Sequence, residues 1–320
     1  MKKSYIVLIS IIIVGIIFTG CSSNKASTKK NGDLTIYTSI YPIQFAVEQI
    51  AGDTADVQSV YPAGIDAHTY EPTSKDITEI AKSNAFIYLG AGMEGFAESA
   101  ADALSAEDVA LIELGEQESL FHTEVDGEHS SHNEKHADHS HDGHDHGDHD
   151  PHIWLDPLRM VQLAELIKDE LITLNPDKQK LYETNFANLE SQLHELDNAF
   201  KQVLTNKENK HILVSHAAYG YWEDRYGLEQ ISINGLSSSS EPSQKELTKI
   251  IEQANEYQLD YLIFEQNTSN RVSKIIQEHI GAEAVTIHNL AVLTEEDVAN
   301  KEDYLSLMRQ NLQTLDTVTK

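Results

Sequence analysis

The sequence predicts an α/β protein: two parallel-sheet α/β lobes bridged by one long rigid helix. Three observations predict it. Short apolar runs alternate with helical patterns from Leu34 to Leu114 and again from Ile212 to Leu315, the rhythm of strands and crossover helices. Between the two series Tyr182, Phe186, Leu189, Leu193, Leu196, Phe200 and Val203 recur at steps of four and three, a continuous apolar stripe. The length, 320 residues, suits about two domains.

The N-terminus stands apart from the fold. Lys2-Lys3 precedes an apolar run, Tyr5 to Phe18, shorter than the ~20 residues of a spanning helix. It reads as a signal segment over residues 1–20. Thr19-Gly20-Cys21 resembles a bacterial lipobox, with Phe18 an unusual first position. That resemblance implies that Cys21 is the lipid-bearing first residue of the mature chain, held stably by a diacyl group. The other reading is an uncleaved anchor. Residues 21–32 read as a polar, turn-rich tether. Cys21 is the single cysteine, so a folded body after it has no disulfide and no thiolate ligand.

The first lobe is expected over residues 33–157. Strands are expected at Leu34–Tyr37, Val57–Val60, Phe86–Leu89 and Val109–Leu114, with helices over Ile43–Ile50, around Ile77–Ala81 and near Phe96–Leu104. Residues 117–150 interrupt the pattern. They are almost devoid of apolar side chains and rich in acids and histidines, so they cannot bury enough surface to offset ordering, and a mobile loop is expected. Residues 158–206 are expected to be a helical linker. Its long helix runs from about Asp177 to Asn206, roughly 45 Å at 1.5 Å per residue. The second lobe, 207–320, carries expected strands at Ile212–Ser215, Ile231–Ile233, Tyr261–Phe264 and Val285–Ile287. Its helices are expected over Leu247–Ala254, opened by the capping-box pattern Ser243-Gln244-Lys245-Glu246, then Val272–Ile280 and Tyr304–Leu315.

Composition narrows function. Acidic residues number 52 against 23 basic, a net charge of −29. Nucleic-acid phosphates would be repelled. Such a chain suits a cation ligand, although solubility alone accounts for charge equally well. Three histidines follow strand-like runs, where open α/β sheets collect ligands. They are His68 in PAGIDAHTYEPT, His152 in DPHIWLDP and His216 in VSHAAYGYW. A lone histidine in such a place is more often a hydrogen-bonded surface or core residue, and no local motif such as His-x-x-x-His joins them.

These three segments, in this order and spacing, with EPSQKEL and YLIFEQN, resemble the solute-binding lipoproteins that feed ABC importers, most nearly the zinc-binding ZnuA/AdcA group. The resemblance covers nearly all of the chain after the tether. It implies two α/β lobes bridged by a long helix, with Zn2+ held between them by His68 and His152 of the first lobe and His216 of the second. An ABC permease with its ATPase would be the partner, the lipid on Cys21 the membrane contact, the location extracytoplasmic, and the chain a monomer. Three imidazoles favour zinc, whereas manganese prefers carboxylate oxygen. Ala291 stands where many relatives place a fourth, acidic ligand, which leaves water, a loop histidine or His288 for that position. The histidines from His122 to His149 are expected to bind metal loosely or to be an inert solvated insertion. Competing readings are a manganese-binding or other divalent-metal lipoprotein or adhesin, and a zinc hydrolase. The hydrolase reading lacks a signature such as HExxH. Glu71 and Asp156, near the histidines in sequence, are candidate partners that hold an imidazole.

Overall fold

Leu34–Thr38 alternates buried and half-buried side chains and forms β1. Around it assembles a four-stranded parallel sheet with β2 (Ala55–Ser59), β3 (Ala85–Tyr88) and β4 (Ala110–Glu113), in the order β2-β1-β3-β4. Every side chain of β3 is buried, as expected of a strand covered on both faces. The structure, a computed structural model, describes residues 34–121, 149–236, 242–266 and 271–320. The signal segment, Cys21, the tether and the histidines from His122 to His146 lie outside the described residues.

Crossover helices follow the strands. Helix α1 (Tyr41–Ala51) begins with Pro42 in its first turn and ends at Gly52, whose φ of 53° suits a residue without a Cβ. Helix α2 (Ser74–Ile80) opens on a capping box between Thr73 and Asp76. Helix α3 spans Ala97–Leu104.

The linker is helical and comprises two helices. Helix α4 (Pro157–Leu174) starts at Asp156, whose side chain accepts from the Leu158 amide at 2.8 Å, and stops where Asn175 (φ −144°, ψ 76°) leaves helical geometry ahead of Pro176. A 3-10 turn at Pro176–Lys178 leads into α5 (Gln179–Leu204), which packs against α4. At 26 residues α5 is about 39 Å long. The apolar stripe is buried as expected through Phe200, and Leu204 rather than Val203 closes it. That stripe meets α1 on the first-lobe side and α10 on the other.

The second sheet repeats the first: β5 (His211–His216), β6 (Glu229–Asn234), β7 (Tyr261–Glu265) and β8 (Glu283–Ile287), parallel, in the order β6-β5-β7-β8. Helices α6 (Gly220–Tyr226), α7 (Gln244–Glu256), α8 (Arg271–Ile280), α9 (Glu295–Asn300) and α10 (Tyr304–Val318) complete it. The capping box between Ser243 and Glu246 is present, and Thr294 with Asp297 and Asp303 with Ser306 open α9 and α10 in the same way. One core runs from the first sheet through α4, α5 and α10 to the aromatic residues Tyr219, Trp222 and Tyr226. A smaller one, with Leu213, Ile231, Ile250, Leu262 and Ile276, lies between the second sheet and α7 and α8. In both sheets chain order reverses on either side of the first strand, β1 or β5, which opens a crevice beyond the carboxyl ends of the strands.

Candidate metal centre

His68 sits in the connection from β2 to α2. Asp66 Oδ1 accepts from the His68 backbone amide at 2.9 Å, an Asx-type turn. The Tyr61 hydroxyl donates to the Ala67 carbonyl at 3.1 Å, and the Gly64 amide to the Leu293 carbonyl at 2.8 Å. Tyr61, Tyr70 and Phe96 pack edge to face beneath this turn.

His152 is buried and precedes a 3-10 turn, Ile153–Leu155. Asp150 Oδ1 accepts from its backbone amide at 3.0 Å and meets its ring Nδ1 at 2.7 Å. This segment is fastened largely by the second half of the chain. The Trp222 indole donates to the Leu155 carbonyl at 2.6 Å, the Tyr304 hydroxyl to the Trp154 carbonyl at 2.5 Å, and the Tyr221 hydroxyl to the Asp150 carbonyl at 2.6 Å. The Trp154 indole donates in turn to the Asn289 carbonyl at 2.8 Å.

His216, the last residue of β5, is buried. Glu265, the last residue of β7 beside it, is also buried and meets His216 Nδ1 at 2.8 Å. The Asn289 amide donates to Glu265 Oε2 at 2.9 Å and the Tyr219 hydroxyl to Oε1 at 3.3 Å. The Leu236 carbonyl lies 2.6 Å from His216 Nε2.

The three imidazoles converge. Ring centroids are 5.4 Å apart for His68–His152, 5.4 Å for His68–His216 and 4.9 Å for His152–His216. One nitrogen from each lies within 4.8 Å of the others. Among the described residues this is the one group of three or more His, Cys, Asp or Glu side chains so placed. In a tetrahedral zinc site, bonds of 2.0–2.1 Å put neighbouring nitrogens about 3.4 Å apart.

Electrostatics set His68 and His216 apart. Burial, with the neighbouring His152 and His216, pushes His68 down to about 4, so at neutral pH its ring is uncharged and can donate a lone pair. Burial also acts to lower His216, but the Glu265 carboxylate and the Leu236 carbonyl more than offset it, and the ring is held above its ordinary value. Glu265 shows the reciprocal effect: burial alone would raise it, and its contacts with His216 and Asn289 hold it below the usual carboxylate range.

The other sequence candidates resolve differently. His288 is outside the cluster. Its Nε2 meets Asp297 Oδ2 at 2.9 Å and its Nδ1 accepts from the Leu290 amide at 2.9 Å, so both nitrogens are engaged in fixing the turn after β8. Ala291 is buried and offers no donor side chain. His149 stacks on Phe121 at 5.1 Å and lies 3.5 Å from Glu118, also outside the cluster. Neither Glu71 nor Asp156 holds an imidazole. Glu71 is exposed, while Asp156 caps α4 and pairs with Arg225 at 2.5 Å and Arg159 at 3.6 Å. The carboxylates that hold rings are Asp150 and Glu265. Asp150 carries a local signal, because Asp-x-His invites a turn in which the carboxylate meets the histidine two residues on. Glu265 carries none, being 49 residues from His216 in sequence.

The family model described as zinc-uptake complex component A, periplasmic (ZnuA), matches residues 36–318. The chain is 33% identical over its whole length to the zinc-binding lipoprotein AdcA of Streptococcus pneumoniae, of which it spans 61%. It is 32% identical to the high-affinity zinc uptake system protein ZnuA of Bacillus subtilis, over 92% of this chain and 91% of that one. Among solved structures, the Zn(II)-bound ZnuA-like domain of Streptococcus pneumoniae AdcA matches with a TM-score of 0.71 and 32% identity, over 90% of this chain and 99% of that domain.

Proposed function

The chain belongs to the ZnuA family of zinc-uptake components, and from that premise we propose that it captures Zn2+ outside the cell membrane and delivers it to an ABC permease driven by its ATPase. His68, His152 and His216 are the proposed ligands. The observation that carries this reading is the convergence of one nitrogen from each ring to within 4.8 Å. The chemistry supports zinc over manganese, because the donors are imidazole nitrogens. Asp150 and Glu265 add two negative charges beside the cluster and fix the rings that face the ion. The fourth position falls to water or to a histidine of residues 122–148, since His288 is engaged elsewhere and Ala291 has no donor. Family membership also supports a binding role rather than a catalytic one. Cys21 is the proposed lipid attachment, which would keep the protein at the outer face of the membrane as the pneumococcal relative's description as a lipoprotein suggests.

The test is zinc titration of the protein beginning at Cys21, against a chelator of known affinity. One tight site is expected. It should be lost in His68→Ala, His152→Ala and His216→Ala, and kept when residues 122–148 are deleted. Tight binding that survives all three substitutions, or that disappears with the deletion alone, would overturn the assignment.

A further inference from the structure

The stretch from His216 to Trp222 does more than supply one imidazole. Tyr219 donates to Glu265, which holds His216. The next two residues reach Asp150, the partner of His152. Tyr221 donates to the Asp150 carbonyl at 2.6 Å, and Gly220 lies against the Asp150 carboxylate, so that a Cβ on Gly220 would stand 2.9 Å from Oδ2. The other oxygen of that carboxylate is the one at 2.7 Å from His152 Nδ1.

We propose that Gly220 is a positioning residue for zinc capture: the space left by its missing side chain lets the Asp150 carboxylate seat against His152 Nδ1 and so leaves Nε2 as the donor. The proposal rests on His152 being a ligand, as argued above. Conformational freedom does not explain this glycine, because its φ is outside the left-handed region. A neighbouring carboxylate does explain it. The Asp150 backbone is pinned by Tyr221, so a methyl group at 220 is accommodated most cheaply by rotation of the Asp150 side chain, and that rotation releases His152. The segment that follows one ligand on β5 thereby sets the orientation of a second ligand 64 residues earlier.

Zinc affinity of the protein beginning at Cys21 would be measured by chelator competition for Gly220→Ala, Asp150→Asn, the double variant and His152→Ala. Each of the first two is expected to bind zinc about ten- to hundredfold more weakly. The double variant should be no weaker than Asp150→Asn, since both changes break one contact. Metal-free Gly220→Ala should melt no lower than the unsubstituted protein. In 15N spectra the His152 ring should shift from a single Nδ1–H tautomer toward a mixture, a signature that general loosening of the fold would not give. Unchanged affinity in Gly220→Ala, an unchanged tautomer, or losses that multiply in the double variant would overturn the proposal. If His152→Ala still bound zinc tightly, the ligand assignment itself would fall; loss there with Gly220→Ala unaffected would remove only the role of Gly220.

Discussion

Replacing Glu265 with glutamine should weaken zinc binding and change its dependence on pH. The substitution keeps the size of the side chain and removes the charge that faces His216 Nδ1 at 2.8 Å. Loss of a carboxylate behind a ligating histidine typically costs ten- to hundredfold in metal affinity, or about 1.4–2.7 kcal/mol. The sign of the pH effect follows from His216. A metal needs the nitrogen lone pair, so a proton on that ring competes with zinc. With Glu265 present the ring's pKa is raised, and affinity should fall as pH drops through that raised value, approaching about tenfold per pH unit. Burial is the largest influence on this ring and acts to lower its pKa. Without the carboxylate that influence is opposed mainly by the Leu236 carbonyl, and the pKa moves down. The glutamine variant should therefore be weakest relative to the unsubstituted protein at about pH 8, with the gap narrowing toward about pH 5.5. His68, pushed down to about 4, adds no competition in that range. Chelator-competition titrations across the range measure both quantities. Equal affinity at about pH 8, or a gap that stays constant down to about pH 5.5, would refute the reasoning.

Three further outcomes are expected. His288→Ala should leave zinc affinity within about twofold, because both of its nitrogens are spent on Asp297 and Leu290, and should lower stability by about 1–3 kcal/mol through those lost hydrogen bonds; titration and urea melts separate the two. Trp222→Phe removes the donor to the Leu155 carbonyl in a fully buried setting, and a loss of about 1–3 kcal/mol is expected, read as a fall of several degrees in the metal-free melting midpoint. Leu193→Ala, at a fully buried position in the stripe of α5, should cost about 2–5 kcal/mol in the same melt.

The strands and longer helices were legible because parallel strands covered on both faces read as apolar runs, and because α5 keeps its stripe for about six turns. The expected long helix, about Asp177 to Asn206, matches α5, whereas α4 was harder to see as a helix of its own. Asp156-Pro157 and Asn175-Pro176 mark the ends of α4, yet its apolar positions run on into those of α5 with little loop between them. Helices α6 and α9, of 7 and 6 residues, are too short for periodicity to speak. At the site, His68, His152, His216 and His288 look alike in sequence, each following a strand or turn. His288 turned out to lie outside the cluster, its nitrogens held by Asp297 of α9 and the Leu290 amide, which no local pattern foretold. Resemblance to a family separated the first three. Their carboxylate partners escaped because proximity in sequence pointed to Glu71 and Asp156, whereas the crossover topology delivers Glu265 to His216 from the adjacent strand.

The fastenings of residues 150–155 mean that chain order and mechanical attachment part company around His152. The histidine belongs by sequence to the first half, but Tyr221, Trp222 and Tyr304 grip the carbonyls of Asp150, Leu155 and Trp154 around it from the second. A scissile linker engineered after Pro157 would therefore not free a self-sufficient half: it would strip a row of aromatic caps from the segment it was meant to preserve. Any severing of this protein into pieces for study has to keep that short segment together with the portion beginning at β5.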